Sequence, residues 1–478
     1  MRKPMTNPAA SSPLPQPRDV LAGLLATAGL PPEVAGRARL TGVDPVLPSS
    51  FAMGTAAQTS IAAAALSACE LGVQRGQAPQ AVSVDMRDAA LDCAAWYRLQ
   101  GVLADRWDPF SGLYRASDDW VRIHANFRHH REGAMRVLGV DPATAQRADL
   151  DKALSRWRAI DFESAAVEAD LVVTALRSFD NWDATPHGQA IAAQPLFTIE
   201  RIGDADPLPL PPLGAADRPL KGLRVVELTR ILAGPTGGRT LAAHGADVLL
   251  VNGPHLPNIG SIADTSRGKR SAHVDLRTDD GKAALRALVQ GTHVFLQGYR
   301  PGGLAAMGFG PQEAAALRPG VVYVSLTAYG AQGPWARRRG YDSLVQSAMG
   351  FNKAEGEAAG AAKPQAFPLQ MLDEATGYFI ALATAAAVRR QQREGGSWHV
   401  QLSLAQTAQW LRGLGRVADG FGPGVRMWRD EDMAPHAEVT DSGWGPLEAL
   451  RHAAILERTP AGWDQPSMPP GSHPPVWW

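Results

Sequence analysis

The sequence predicts an α/β protein in which a large domain with a mostly parallel β-sheet accompanies a smaller α+β domain. Three observations support this prediction. Short apolar runs alternate with helical segments after residue 218, as in sheets that carry helices on both faces. The 478 residues are too many for one ordinary core. Hydrophobic residues make up 45% of the chain, which is enough to bury sizeable cores.

The elements of the large domain follow one another after a proline-rich stretch. LRVVEL (Leu223–Leu228) and ADVLLVN predict buried strands, and AGPTGGRTLAAHG predicts a turn and a helix between them. DDGKAALRALVQG begins with acidic residues and ends at a glycine, as helices commonly do. THVFLQG and VVYVSLTAYG predict two further strands. We therefore place the α/β domain at residues 218–412.

The N-terminal half predicts a different arrangement. Phe51–Cys69 is mostly alanine with polar interruptions, which favours a buried helix over a membrane span. GLYRASDDWVRIHANF predicts a hairpin that turns at Ser117–Asp119. Residues 55–91 align without gaps on residues 373–409, although the identities are few and mostly alanine. This alignment suggests a partial internal duplication.

Proline content suggests the domain boundaries. Five prolines between Ala205 and Leu220 exclude a helix and favour an extended linker. The N-terminus has two basic residues with no apolar run after them, so we expect a tail rather than a signal peptide. The predicted units are a disordered tail (1–20), an N-terminal partial copy with the small α+β domain (21–204), a Pro-rich linker (205–220), the large α/β domain (218–412) and a Pro- and Trp-rich segment packing on the body (413–478).

Charge and cysteine content exclude several classes of function. Lys plus Arg and Asp plus Glu number 47 each, so the formal net charge is zero. No global field would draw such a chain onto nucleic acid or a membrane. Cys69 and Cys93 are the only cysteines. Two cysteines cannot form a disulfide scaffold, and they fit a cytoplasmic location.

Several common catalytic and cofactor motifs are missing. The turn Ala233–Gly238 has glycines that would let backbone amides approach an anion, but it lacks the G-x-G-x-x-G spacing of a dinucleotide site, and Asn252 rather than an acid ends the next strand. No G-x-S-x-G or P-loop sequence occurs. We interpret His124, His129 and His130 as surface or polar-core residues, because their spacing does not fit a metal site.

Two features remain as candidates for a site. Basic residues occur at turns near predicted strand ends, where α/β sheets bind ligands and where guanidinium groups hold phosphates, although solvated surface charge explains each one as well. These residues are Arg267, Lys269, Arg270, Arg300, Arg337, Arg338 and Arg339. The other candidate, Asp373, precedes a long apolar helix. It suits a helix N-cap, and it also suits a partly buried nucleophile or base.

Five segments, in order, resemble the class III coenzyme A transferases, the family of carnitine/formyl-CoA transferases and α-methylacyl-CoA racemases. The resemblance covers about residues 218–412 and implies a Rossmann-like domain that binds a CoA thioester at its strand ends. The segments are GLRVVELTRILAGPTGGRTLAAHGADVLLV, RGKRSAHVDLRTDDGKAAL, VFLQGYRPGGLAAMGF, VVYVSLTAYGAQGPWARRRGYDSLVQ and DEATGYFIALATAAAVRRQQREGGSWHVQLSLAQT.

The resemblance also implies roles for individual residues. It makes Asp373 the catalytic nucleophile rather than a plain cap. Backbone amides near Gly377 or in the Ala233–Gly238 turn become candidates for stabilising an oxyanion. The positions implied to bind CoA are Arg230, Ala233, Lys269, Tyr299, Arg300, Met307, Arg339 and Asp342.

The implied reaction moves CoA between an acyl-CoA thioester and a carboxylic acid through an aspartyl-CoA intermediate, as in enzymes of the EC 2.8.3 type. It needs no metal and no permanently bound cofactor, because the CoA thioester is a substrate. The expected partners are acyl-CoA and carboxylate small molecules, without nucleic acid or membrane. An acyl-CoA racemase or isomerase is one alternative, but Tyr341 stands where the racemase branch carries a histidine. A non-catalytic CoA-binding protein is another, since Asn252 and Gly298 depart from the family pattern.

The N-terminal half resembles the part of the same family that follows the catalytic helix, including its smaller domain. VSVDMRDAALD and GLYRASDDWVRIHANFRHHREGAMRVLG carry this resemblance. Thr55 matches Asp373 and cannot accept an acyl group. We therefore expect the N-terminal half to supply the small domain to a single active unit. Because family members form interlocked dimers, the resemblance implies a homodimer or a monomer with an internal pseudo-dimer.

Overall fold

The computed structural model of the chain describes residues 14–478, and it changes one predicted boundary. The first helix begins at Pro17, inside the segment 1–20 predicted to be a disordered tail. Proline favours the first turn of a helix because its φ is already fixed there, and this helix buries one apolar face. Residues 1–13 of the predicted tail lie outside the described residues.

The N-terminal half, residues 14–204, combines helices with short strands. β5 and β6 pair antiparallel with Arg115 opposite Trp120, which confirms the predicted hairpin. The elements are α1 (Pro17–Thr27), β1 (Ala38–Thr41), α2 (Met53–Gln74), β2 (Val82–Asp85), α3 (Met86–Asp92), β3 (Tyr97–Leu99), β4 (Val102–Leu103), β5 (Gly112–Arg115), β6 (Trp120–Ile123), α4 (Arg128–Val137), α5 (Arg147–Leu154), α6 (Ala159–Glu168), β7 (Val173–Ala175), α7 (Phe179–Asp183), α8 (Pro186–Ala192) and β8 (Phe197–Gly203).

The large domain alternates strands and helices as the sequence predicts. Its apolar strands are buried, as expected when helices cover both faces of a parallel sheet. The elements are β9 (Arg224–Leu228), α9 (Ala233–Ala243), β10 (Asp247–Asn252), α10 (Ile262–Thr265), β11 (Lys269–His273), α11 (Asp279–Gln290), β12 (Val294–Gln297), α12 (Pro311–Leu317), β13 (Val322–Thr327), α13 (Asp342–Ala348), α14 (Phe351–Ala358), α15 (Met371–Glu394), β14 (Ser397–Ser403) and α16 (Leu404–Gly413).

The strand order of the large sheet is β11-β10-β9-β12-β13-β14-β8. β9 to β14 run parallel to their neighbours, whereas β8, which comes from the N-terminal half, pairs antiparallel with β14. The protein is therefore a mixed α/β molecule with a large, mostly parallel sheet. The chain builds outward from β9 in one direction and then from β12 in the other. Such a reversal opens a crevice at the carboxyl ends of the two central strands.

The C-terminal segment, residues 413–478, packs against both halves of the molecule. β16 pairs with β3 and β17 pairs with β2, both antiparallel. The indole N–H of Trp463 donates to the carbonyl of Arg239 at 3.1 Å, and that of Trp477 to the carbonyl of Leu288 at 3.0 Å. The elements of this segment are α17 (Asp430–Met433), β15 (Ala437–Thr440), β16 (Leu447–Leu450) and β17 (Ile455–Leu456).

The two longest helices, α2 and α15, form the centre of the molecule. They pack side by side, and the Ser67 hydroxyl of α2 donates to the carbonyl of Leu382 in α15 at 2.9 Å. Their many alanines allow a close approach, since the side chains at the contact set the distance between helices. By length and composition each helix is apolar enough to cross a membrane, but the most apolar windows are 94% and 100% buried inside the protein.

The proline-rich linker is anchored to the N-terminal half. Its residues contain no helix or strand between β8 and β9. The guanidinium group of Arg75 donates to the carbonyls of Pro211, Pro219 and Lys221 at 2.8–3.1 Å. These bonds hold the linker against the end of α2.

Candidate functional site

Asp373 lies in the first turn of α15 and lines a cavity of about 490 Å³. It is 7% exposed, and the preceding Met371 and Leu372 are fully buried, which anchors the turn. The N–H of Asp373 donates to Oδ2 of Asp342 at 3.0 Å. The position of Asp373 is therefore fixed both by the buried residues that begin α15 and by the hydrogen bond to Asp342, the first residue of α13.

The cavity occupies the crevice at the carboxyl ends of the central strands, where the strand order predicts a ligand site. Segments after six strands contribute to its walls, which contain both apolar side chains and arginines. The wall residues after β9, β10 and β11 are 230–233, 253 with 255–257, and 274 with 276–277. Those after β12, β13 and β14 are 298–301 with 303, 304 and 307, 328 with 338–341, and 404.

The structure brings most of the predicted site residues to this cavity. Asp342 lies directly behind Asp373, since it accepts the hydrogen bond from that residue's amide. Tyr341, which replaces the histidine of the racemase branch, lines the cavity beside it. The predicted residues that line the cavity are Asp373, Arg230, Ala233, Tyr299, Arg300, Met307, Arg338 and Arg339.

Lys269 does not lie at the cavity, and the prediction that it binds CoA is corrected. It is 0% exposed, and its ammonium lies 2.8 and 3.0 Å from the two carboxylate oxygens of Glu227 and 2.8 Å from the carbonyl of Pro235. The ammonium therefore donates hydrogen bonds to Oε1 of Glu227 and to the carbonyl of Pro235, and it forms an ion pair with Oε2 of Glu227. The physical reason is its position: Lys269 is the first residue of β11, whereas the cavity lies at the opposite, carboxyl ends of the strands.

The neighbouring basic residues of the same cluster also face away from the cavity. Arg267 is buried and lies 2.6 Å from Asp264, and it donates to the carbonyl of Leu450 at 2.8 Å. Arg270 lies over the ring of Trp478, 4.4 Å from its centroid. These two arginines therefore attach the C-terminal segment to the large domain.

Residues 112–175, which comprise β5–β7 and α4–α6 and which we call the roof, cover one side of the cavity. Phe127, His129 and His130 of the roof line the cavity with Asp373. His124 stacks on Tyr341 with ring centroids 4.0 Å apart. The interpretation of these histidines as surface or polar-core residues agrees with the burial of His124 and His130, but it does not include the position of His129 and His130 at the cavity. Their spacing carries no signal for it; only the resemblance of the N-terminal half to a small domain does.

The roof histidines are held in their neutral form. Burial is the main cause that lowers the pKa of His130 to about 3, and His129 and Arg339 lower it further. Nε2 of His130 lies 3.3 Å from Nη1 of Arg339. Burial likewise lowers the pKa of His124 to about 3. Neutral imidazoles at this place avoid adding charge repulsion to the arginines of the cavity.

No metal centre is formed by the part of the chain that the structure describes. Among residues 14–478, no group of three or more His, Cys, Asp or Glu side chains is arranged to hold a metal ion. Asn252, noted as a departure at the end of β10, is buried, and its amide has no hydrogen-bond partner among the described residues. Gln297 donates to Ser325 at 3.2 Å and accepts from the N–H of Tyr299 at 3.0 Å, so it positions the turn after β12.

Burial and two neighbouring carboxyl groups determine the electrostatics of Asp373. Burial raises the pKa of Asp373 well above its usual value, and the nearby Asp342 and Glu374 raise it further. Burial also raises the pKa of Asp342 to about 6 and that of Glu374 to about 8. A carboxylate in such surroundings is more basic than one in water, and a more basic carboxylate is a better nucleophile towards an acyl carbon.

The turn between β9 and α9 has a strained backbone. Ile231 has φ of 78°, which is rare for a β-branched residue. Strain of this kind is retained mainly at functional sites. Here it turns the chain so that Ala233, the first residue of α9, lines the cavity.

Gly377 has a packing role rather than a place at the cavity wall. A Cβ atom at this residue would lie 2.7 Å from Cβ of Thr236, so α15 and α9 touch here. Gly377 is not among the residues that line the cavity. Of the two predicted sources of oxyanion-binding amides, the turn at Ala233 is therefore the one that the geometry favours.

Comparisons with known proteins show which family and which relatives this chain resembles. Residues 220–422 match the family described as CoA-transferase family III. An acyl-CoA transferase of Gibberella moniliformis is 31% identical over 313 residues, which cover 62% of this chain and 55% of that protein. A succinate–glutarate CoA-transferase of Agrobacterium fabrum is 36% identical over 205 residues, covering 39% and 51%.

A solved structure of a CAIB/BAIF family protein from Brucella suis is 29% identical with a TM-score of 0.37, covering 48% of this chain and 65% of that one. The chain spans about half the length of the curated relatives it matches. The matched residues 220–422 include Asp373 and most of the cavity wall. The part of the chain that carries Asp373 therefore matches CoA-transferase family III.

Proposed function

We propose that this chain transfers coenzyme A between an acyl-CoA thioester and a carboxylic acid, with Asp373 as the nucleophile. One observation carries the proposal: a buried aspartate forms part of a cavity whose other charged side chains include Arg230, Arg300 and Arg339. Guanidinium groups bind phosphates well, and CoA carries several. The names of the relatives, acyl-CoA transferase and succinate–glutarate CoA-transferase, support this class of substrates.

The first half of the reaction forms an aspartyl-CoA thioester. A carboxylate oxygen of Asp373 attacks the thioester carbonyl carbon, the C–S bond breaks, and CoA leaves as a thiolate. The product on the protein is a mixed anhydride between Asp373 and the acyl group. The thiolate then attacks the aspartyl carbonyl carbon, and the donor acid leaves as a carboxylate.

The second half repeats these steps in reverse with the acceptor acid. Its carboxylate attacks the aspartyl thioester, expels the CoA thiolate and forms a new anhydride. The thiolate attacks the acceptor's acyl carbon, which releases a new acyl-CoA and restores the carboxylate of Asp373. Holding CoA throughout makes each attack effectively intramolecular, an advantage that can reach about 7–11 kcal/mol.

The surroundings of Asp373 suit both halves of the proposed reaction. Its raised pKa makes it a strong oxygen nucleophile once it is ionised. The turn at Ala233 and the guanidinium groups of Arg230 and Arg339 offer positive potential where negative charge develops on the attacked carbonyl. No permanently bound cofactor is required, because CoA is itself exchanged.

An acyl-CoA racemase or isomerase is the second candidate function. It is favoured by the neutral imidazole of His124, which stacks on Tyr341 beside Asp342. Against it, His124 is not among the residues that line the cavity. Exchange of the substrate's α-proton with solvent deuterium in the absence of an acceptor acid would favour this second function. A non-catalytic CoA-binding protein would show neither exchange nor an adduct on Asp373.

We also infer that the N-terminal half contains a partial repeat of the large domain. The alignment that pairs Thr55 with Asp373 also pairs the starts of two helices in each part of the chain. Met53, which begins α2, pairs with Met371, which begins α15. Met86, which begins α3, pairs with Leu404, which begins α16. The sheet β1-β2-β17 repeats the pairing of β13-β14-β8, with one parallel and one antiparallel neighbour.

The hydrogen bonding supports the same repeat. Oδ2 of Asp44 accepts from the N–H of Thr55 at 2.8 Å, just as Oδ2 of Asp342 accepts from the N–H of Asp373. Both acids stand in a G-x-D sequence, Gly42–Asp44 and Gly340–Asp342. Thr55 replaces the nucleophile, so we propose one active site in each chain, in a monomer whose roof acts as an internal pseudo-partner.

We place the protein in the cytoplasm, acting on acyl-CoA and carboxylate small molecules without nucleic acid or membrane. Cys69 and Cys93 are both buried free thiols, which suits a reducing compartment. Dicarboxylic acids are the first acceptors to test, because a named relative acts on succinate and glutarate.

The decisive experiment traps the covalent intermediate. The protein is incubated with a mixture of acyl-CoA thioesters, and its intact mass is measured with and without hydroxylamine. We expect one hydroxylamine-sensitive adduct on the wild type and none on Asp373→Asn, with transfer reduced by about a thousandfold or more. Asp279→Asn, which changes an exposed acid in the first turn of α11, is the matched control and should behave as the wild type. An unchanged adduct on Asp373→Asn would contradict the proposal.

A further inference from the structure

Asp170, a residue of the roof, forms ion pairs with two arginines of the cavity. Nη2 of Arg300 lies 2.5 and 2.6 Å from its two carboxylate oxygens. Nη2 of Arg339 lies 3.0 Å from Oδ2 of the same carboxylate. A single acid of the N-terminal half therefore joins two arginines that follow different strands of the large sheet.

The backbone of Asp170 has a left-handed conformation that aspartate rarely adopts. Asp170 has φ of 61° and follows the end of α6. Its N–H donates to the carbonyl of Val167 at 3.0 Å, and the N–H of Leu171 donates to that of Ala166 at 2.8 Å. This is the helix-ending position that glycine, and less often asparagine, usually occupies. An aspartate here accepts some backbone strain and places a carboxylate against Arg300 and Arg339, two arginines of the cavity wall.

Other roof residues contact the same group of arginines. The guanidinium group of Arg230 lies 5.2 Å from the centroid of the Phe127 ring. His130 contacts Arg339 through the 3.3 Å approach of Nε2 to Nη1. Each of the arginines implied by the sequence to bind CoA, namely Arg230, Arg300 and Arg339, thus touches the roof.

A ligand phosphate can readily take the place of Asp170 in these ion pairs. The side chains of Asp170 and Arg300 are 57% and 39% exposed, and exposed pairs of this kind contribute little net stability. A phosphate offers the same two arginines more charge and more acceptor oxygens than a carboxylate does. Displacement of the Asp170 carboxylate from these arginines by a phosphate of the ligand therefore favours the ligand-bound state of the protein.

We propose that Asp170 is a displaceable counter-ion: its carboxylate occupies the place between Arg300 and Arg339 that a phosphate of bound CoA takes. Binding of CoA then releases the carboxylate and loosens this attachment of the roof to the large domain. This inference rests on the proposed function, because it requires CoA to be the ligand of the cavity.

The test measures CoA binding to Asp170→Asn without an acyl donor. Asparagine tolerates the left-handed conformation, so the helix end is preserved. We expect calorimetric titration to show CoA binding about three- to tenfold more tightly to the variant, because the competing charge is gone. Pantetheine, which has no phosphate, should bind equally to variant and wild type. Titration with 3′-dephospho-CoA shows which phosphate takes the place of the carboxylate. If Asp170→Asn still binds this ligand more tightly than the wild type does, the diphosphate takes that place; if the two proteins bind it equally, the 3′-phosphate does. Both results support the proposal.

The matched control is Asp183→Asn. Asp183 also forms a two-oxygen ion pair between the N-terminal half and the large domain, with Arg412 at 2.7 and 2.9 Å, but its partner Arg412, unlike Arg300 and Arg339, is not among the residues that line the cavity. We expect this variant to bind CoA as the wild type does. Unchanged or weaker CoA binding by Asp170→Asn would overturn the inference, as would an equal gain for pantetheine. If the wild type, Asp170→Asn and Asp183→Asn all fail to bind CoA, the proposed function itself is wrong.

Discussion

At the residue scale, the surroundings of Asp373 set the conditions under which it can react. Asp342 binds its backbone N–H and also lies near its carboxyl group, so one residue both holds the turn and repels the negative charge. Sequence reasoning identified Asp373 as a candidate but left helix capping open, because burial and neighbouring charges depend on residues far away in the chain. The structure supplies those neighbours.

The raised pKa of Asp373 predicts a pH dependence for the first chemical step. Because only the ionised carboxylate attacks, the rate of adduct formation should be low at acidic pH and rise with pH through the raised pKa of this group. Stopped-time intact-mass measurements at several pH values give that rate.

The variant Asp342→Asn tests the cause of this shift. Asparagine keeps an oxygen acceptor for the N–H of Asp373 but removes the nearby negative charge. We expect the rate profile to move towards lower pH. A profile that does not move would mean that burial and Glu374, rather than Asp342, set the pKa of Asp373.

At the scale of elements, the buried pair of Lys269 and Glu227 connects three parts of the large domain. Lys269 begins β11, Glu227 lies in β9, and the carbonyl of Pro235 belongs to the first turn of α9. The sequence places the lysine in a basic cluster and cannot show which way it points. Its direction depends on the strand order, since β10 separates β11 from β9.

Removal of this lysine should destabilise the domain strongly. Lys269→Met leaves Glu227 buried without its cation, which typically costs about 3–5 kcal/mol. Urea unfolding followed by circular dichroism measures the change in the free energy of unfolding. Lys221→Met, which removes an exposed lysine paired with Asp217, is the control and should cost less than about 1 kcal/mol. A loss for Lys269→Met as small as that of the control would contradict the structural role assigned here.

At the scale of the whole molecule, the roof and the nucleophile of one site come from the same chain. Phe127 and His130 precede Asp373 by more than two hundred residues and line the same cavity. The C-terminal segment packs onto the same half of the molecule, because its strands β16 and β17 pair with β3 and β2 of the N-terminal half. A single chain thus contains all parts of the cavity described above.

This arrangement predicts that each chain works alone. Two variants that lack transfer activity, Asp373→Asn and one disabled in the roof such as Phe127→Ala, should remain inactive when mixed, because neither chain can lend its intact part to the other. Transfer assays of the mixture, compared with each variant alone, test this. Recovery of activity on mixing would show that the roof is exchanged between chains.

The sequence by itself determined the alternation of strands and helices, the hairpin of the roof and the identity of Asp373 as a candidate, because periodicity, turn residues and ordered motifs are local properties. It also placed Arg230, Arg300 and Arg339 after strands, and the parallel sheet brings such positions to one edge. Only the tertiary structure decided that Lys269 is internal, that His129 and His130 of the roof line the same cavity as Asp373, and that Asp170 pairs with two of the arginines. These facts depend on strand order and on contacts between distant segments, which no local pattern encodes.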